Sequence, residues 1–87
     1  MVTNQDLNTM QTYGRYVARD DDRVALANAV EYMIIAGLDT EDADRLRFWF
    51  HEGVRNYARD QKHTDECMGE LASDVSLYLL KKKLSKT

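Results

Sequence analysis

Residues 40–60, TEDADRLRFWFHEGVRNYARD, decide how the chain is read. They hold the single Trp and both Phe residues of an 87-residue sequence. Thr40 is a good helix N-cap, because its hydroxyl can accept from the free N–H groups of a first turn. Glu41, Asp42 and Asp44 follow at the positive end of the helix dipole. At about 100° per residue, Ala43, Leu46, Phe50, Val54 and Tyr57 fall on one stripe, with Gly53 at its edge. The spacing predicts an amphipathic helix over 40–60 with that stripe as its core face. Arg45, Glu52, Arg55 and Arg59 cover the other side, and Glu41–Arg45 and Glu52–Arg55 are spaced for weak local ion pairs. Phe48 breaks the pattern. It lies away from Phe50 among the charges, with Trp49 on the flank. Such a Phe is either a partly exposed side chain, since apolar atoms make up much of any surface, or a contact for a partner. Gly53 costs roughly 1 kcal/mol against Ala in mid-helix. Close approach of a neighbouring helix at the core edge would offset that cost.

Working towards the N-terminus, Gly37 closes a helix over 22–36 as a residue free to take a left-handed conformation. Leu26, Val30, Met33 and Ile34 form its core stripe, with Ala27 beside it. The opposite side is apolar too, with Val24, Tyr32 and Ile35 around Asn28. A helix apolar all round is buried on both sides, so this one is expected to be central or covered by another molecule. The Asp20-Asp21-Asp22 run before it caps the helix and meets its dipole. A calcium loop would need spaced oxygen ligands and a Gly at its sharp turn, which the run lacks. A first helix over 3–19 carries Leu7, Met10, Tyr13 and Val17 on one stripe, capped by Thr3 with Asp6 three residues on. Gly14, on the same face, is expected to weaken or kink it.

Towards the C-terminus, Thr64 is expected to cap a last helix, with Met68, Leu71, Val75, Tyr78 and Leu79 as its stripe. Leu77, Leu80 and Leu84 follow one another at helical spacing away from that stripe. Lys81, Lys82 and Lys83 lie where the dipole favours cations.

These patterns give one domain over 1–87, all-α, a small bundle of three to four helices with short connections. The absence of Pro and the presence of only four Gly argue the same way. The net charge of −3 comes from 12 basic and 15 acidic residues, without a basic patch that would grip phosphates. The N-terminal MVTNQDLNTM has neither a positive leader nor an apolar run, and no stretch reaches the ~20 apolar residues that span a bilayer. A single cysteine, Cys67, excludes an internal disulfide and fits a reducing compartment. The expected location is the cytoplasm, with no membrane contact.

Chemistry is sparse. His51 and His63 are the only histidines available to serve a nucleophile. His63 and Cys67 are four apart and could be half a zinc site, but two further ligands at metal spacing are missing. No catalytic residue, metal ligand or cofactor is assigned, and Cys67 is expected to be structural or inert. Residues 27–59 offer one motif. Gly37, the apolar turn residue Leu38, and Ala43 and Leu46 at the start of the next helix resemble the helix-turn-helix of bacterial repressors. The resemblance implies a DNA-binding regulator. Met33 departs from it where a small residue is usual, and Glu41, Asp42 and Asp44 would set negative charge against phosphates, which Arg45 and Arg47 only partly repair.

The expected function is therefore non-enzymatic: a cytosolic protein-interaction module, an inhibitor or adaptor covering part of a macromolecular target. By analogy, bacteriophages carry small acidic proteins of this kind against host defence. The expected partner is a protein, a second copy of the chain, or both. The contact residues would be Tyr32, Ile35, Phe48, Trp49, Leu77, Leu80 and Leu84, because they point away from the core stripes. A helix-turn-helix regulator and an oligomeric small-ligand binder are the alternatives.

Overall fold

The computed structural model describes residues 2–85, and for 83–85 the backbone alone. The described residues form four helices and no strand: α1 (Asn4–Asp20), α2 (Arg23–Ala36), α3 (Glu41–Tyr57) and α4 (Gln61–Ser85). Local chemistry sets most boundaries. Thr3 and Asp6 make a reciprocal capping box at the start of α1. Asp21 turns the chain in a left-handed conformation, and the Asp22 carboxylate accepts from Val24 and Ala25 N–H to start α2. Gly37, at φ 86°, ends α2, and the Thr40 hydroxyl accepts from Ala43 N–H to open α3.

Two expectations of extent need correction. The helix over 40–60 stops at Tyr57, where Ala58 turns extended. The last helix begins at Gln61, because the Asp60 carboxylate accepts from His63 N–H and caps it four residues ahead of Thr64. Thr64 is instead buried inside the first turn, its hydroxyl donating to the Asp60 carbonyl.

One core cluster joins all four helices. Its largest fully buried side chains are Phe50, Met10, Leu26, Met33, Leu46, Val17 and Val54, with Cys67 and Leu71 added from α4. The stripe read on α3 is the buried face as far as Val54. Tyr57 then turns outward, where the Arg15 guanidinium lies 5.5 Å from its ring centroid. On α2, Ala25 and Ala29 fill the core, while Ala27 is exposed and Ile34 half-buried.

The most extensive helix–helix interface joins α1 and α3, which are not consecutive. Asp6 shares a groove with Asp42 near the two starts and Arg15 lies against Tyr57 at the end of α3, so the two helices run parallel. Glycine makes this crossing possible. A Cβ on Gly53 would lie 3.0 Å from the Gln11 carbonyl carbon and closer still to its oxygen. A Cβ on Gly14 would lie 3.0 Å from Val54 N and would overlap the Phe50 carbonyl oxygen. Gly53 thus has the role expected of it. Gly14 does not interrupt α1, which continues to Asp20, and serves as the reciprocal half of the crossing.

The molecule measures 42 × 25 × 19 Å. At about 1.5 Å per residue, the 25-residue α4 is roughly 37 Å long, against about 21 Å for the 14-residue α2. Arg23 ties the start of α2 to α4 through Glu70, at 2.8 Å. Beyond Val75, every residue of α4 from Ser76 to Lys82 is exposed. Tyr78 and Leu79, expected in the core stripe, are therefore surface residues. Among the described residues, no helix is long and apolar enough to cross a membrane.

Candidate functional site

The apolar second face of α2 is left uncovered by the chain's own helices. Val24 is 70% exposed and Ile35 79% exposed. Two grooves flank this ridge. The larger, about 580 Å³, lies between α1, α2 and the start of α3 and includes Tyr13, Tyr32, Ile35, Asp6, Glu31 and Asp42. The smaller, about 340 Å³, lies between α2 and α4 and is lined by Ala27, Val30, Glu31, Asp74, Leu77, Tyr78 and Lys81. Glu31 lines both, so the two grooves and the ridge between them form one surface.

Helix geometry explains its composition. Val24, Ala27, Glu31 and Ile35 recur at three- and four-residue steps, which aligns them along one side of α2. The Tyr13 and Tyr32 rings meet in the larger groove at 6.0 Å between centroids and a 56° tilt. Burial, and then the neighbouring Tyr32, push the Tyr13 phenol above its ordinary pKa, so it stays a neutral hydrogen-bonding group at neutral pH. Carboxylates dominate the charge. Asp6, Glu31 and Asp42 line the larger groove and Asp74 the smaller, with Lys81 as the base among these lining residues. The surface therefore suits a partner that is apolar and basic.

The expected contact residues separate into three groups. Tyr32 and Ile35 come together in the larger groove, and Leu77 lines the smaller. Leu80 is exposed beside Leu77 on the α4 end, and the Leu84 side chain lies outside the described residues. Phe48 and Trp49 form a separate patch on α3, edge to face at 5.9 Å and 87°, with Phe48 exposed and Trp49 packed against the core. The acidic residues of the grooves were missed as site residues. Sequence carried one signal for them: Asp74 and Lys81 are seven apart and so share the face that holds Leu77 and Tyr78.

The candidate chemistry around Cys67 resolves into packing. His63 donates from Nε2 to the Ala18 carbonyl at 2.7 Å, tying α4 to the end of α1. The ring nitrogen facing Cys67 Sγ, at 3.9 Å, thus carries the proton and has no lone pair to offer a metal. Cys67 is buried, and desolvation raises its thiol pKa, with Glu70 adding to the effect. Its folded-state pKa exceeds the unfolded value of about 8.5, so this thiol withdraws stability only as pH rises beyond that value. Folded protein should accordingly react with iodoacetamide at pH 7.5 at least about a hundred times more slowly than unfolded protein. Comparable rates in the two states would contradict the buried placement.

The turn between α2 and α3 is fastened by Arg47, which donates to the Leu38 carbonyl at 3.4 Å and pairs with Asp44. One of the two arginines that a DNA-reading α3 would use is thereby committed to the fold. No protein family matches the chain, and no curated protein or solved structure matches it significantly.

Proposed function

We propose that this chain is a non-enzymatic protein-interaction module, an inhibitor or adaptor that binds its target across the outer face of α2. The observation that carries this reading is the surface through Glu31, which joins two grooves and the exposed side chains of Val24 and Ile35. An apolar, grooved surface of this kind marks an interaction site. Its carboxylates favour a target segment that brings apolar anchors and basic residues together. Acting as an inhibitor or adaptor requires no more than covering that target.

The small-ligand alternative draws on the larger groove, whose volume lies in the range of small-molecule sites and whose Tyr13–Tyr32 pair could receive an organic cation. The DNA-binding alternative loses ground to the acidic start of α3 and to the engaged Arg47.

The test is affinity capture from the native host with wild type, Ile35→Lys and Arg55→Asp. Ile35→Lys removes an apolar contact and opposes a basic target, while the C-terminal end of α2 tolerates the added cation. Arg55 is exposed on α3, away from the grooves. The expected result is a stoichiometric protein target whose affinity falls at least about tenfold with Ile35→Lys and holds with Arg55→Asp. A target indifferent to Ile35→Lys, or a nucleic acid or metabolite in place of a protein, would overturn the reading.

A further inference from the structure

The end of α4 has a pattern that its own chain does not use. Asp74, Leu77, Tyr78 and Lys81 line one groove. Along the helix they fall at positions i, i+3, i+4 and i+7, a single stripe with two apolar residues in the middle and opposite charges at its ends. Asp74 and Lys81 are about 10 Å apart along the axis, too far to pair within the helix. The stripe therefore presents two charges of opposite sign along the groove it shares with α2, on either side of an exposed Leu–Tyr centre.

Such a stripe is complementary to itself when reversed. If a second α4 lies antiparallel with the two-fold axis between residues 77 and 78, Leu77 meets the other copy's Tyr78 and Tyr78 its Leu77. Asp74 then meets Lys81 at one end, and Lys81 meets Asp74 at the other. A parallel alignment would instead set Asp74 against Asp74 and Lys81 against Lys81, which is repulsive. A two-fold interface uses the same patch on both partners, so a self-complementary stripe is what it requires. The open groove beside the stripe gives a second helix room to approach, since every residue from Ser76 to Lys82 is exposed.

We infer that the occupant of the α4 edge is a second copy of this chain, docked antiparallel along Asp74, Leu77, Tyr78 and Lys81. The inference deepens the interaction-module reading and rests on it: self-pairing takes up the smaller groove along α4, and the target site narrows to the larger groove and the Val24–Ile35 ridge. Asp74 also lies within electrostatic reach of Arg23, whose guanidinium is bonded to Glu70, so a charge change at Asp74 needs a folding control.

The test is charge exchange read by sedimentation equilibrium, with thermal melting as that control. Wild type should be a dimer. Lys81→Asp and Asp74→Lys each convert two attractive pairs into two repulsive ones and should weaken dimerisation at least about tenfold. Asp74→Lys/Lys81→Asp exchanges the two ends and should restore it. An equimolar mixture of the two single variants should form the mixed dimer, since each then supplies the charge the other lacks. A monomeric wild type would overturn the inference, whether or not a target is captured. So would single variants that dimerise like wild type, or a double variant that stays monomeric. Target loss with Ile35→Lys in a protein that remains dimeric would separate the two proposals.

Discussion

Gly53→Ala should destabilise the fold by about 2 kcal/mol or more, although the same exchange in an open helix gains about 1 kcal/mol. The sign follows from the crossing of α1 and α3. A Cβ at position 53 meets the carbonyl group of Gln11 and lies 3.1 Å from Arg15 N, both of them backbone inside a helix. Such atoms cannot swing aside like the end of a side chain, so the helices must separate. Separation opens the most extensive interface in the molecule. Gly14→Ala should cost a similar amount, because its Cβ meets the Phe50 carbonyl and Val54 N on the facing helix. Gly69 supplies the control. It lies exposed on α4, and a Cβ there has nothing within 4 Å. Gly69→Ala should therefore stabilise by about 0.5–1 kcal/mol. For a domain of this size, the first variant should melt roughly 10 °C lower than wild type and the last a few degrees higher. If Gly53→Ala melts at or above wild type, α1 and α3 do not approach this closely.

The same crossing shows how far the sequence could be read. The stripe Ala43, Leu46, Phe50, Val54 and the edge position of Gly53 follow from periodicity alone, because each helix must bury one side. Nothing in that period names the helix that approaches the glycine. Gly14 belongs to the partner helix, and only the assembled pair turns a residue expected to weaken α1 into half of a contact. The end of α4 was misread for a related reason. Tyr78 and Leu79 continue a stripe that is valid up to Val75, but a stripe is buried only where a neighbouring helix closes against it. That closure depends on the other elements, and beside Leu77, Tyr78 and Lys81 the approach of α2 leaves an open groove. The cap of α4 failed on local competition, since both Asp60 and Thr64 are good N-caps and the carboxylate lies first in the chain. The apolar outer side of α2 was legible as an anomaly. That it faces outward, flanked by acidic grooves, needed the positions of α1 and α4.

Phe48 and Phe50 are two residues apart, and their replacement should separate stability from recognition. Phe50 is 0% exposed and is among the largest fully buried side chains, whereas Phe48 is 57% exposed. Phe50→Ala removes a whole ring from the core and leaves a cavity that the surrounding helices can only partly close. The usual cost is about 3–5 kcal/mol. A domain of this size has only about 5–10 kcal/mol in total, so the variant should lose about half its stability or fail to fold. Phe48→Ala gives up an edge-to-face contact with Trp49, at 5.9 Å between centroids, and little burial. Water already reaches much of the ring, and Trp49 keeps its own packing against the core. Its cost should stay within about 1 kcal/mol. Urea denaturation of the two variants measures both values. If Phe48 anchors a target, capture should weaken by more than about 1 kcal/mol on Phe48→Ala while the denaturation midpoint barely moves. A Phe48→Ala variant as unstable as Phe50→Ala would mean that the charged side of α3 is packed rather than free, and the α3 patch would then be withdrawn as a contact surface.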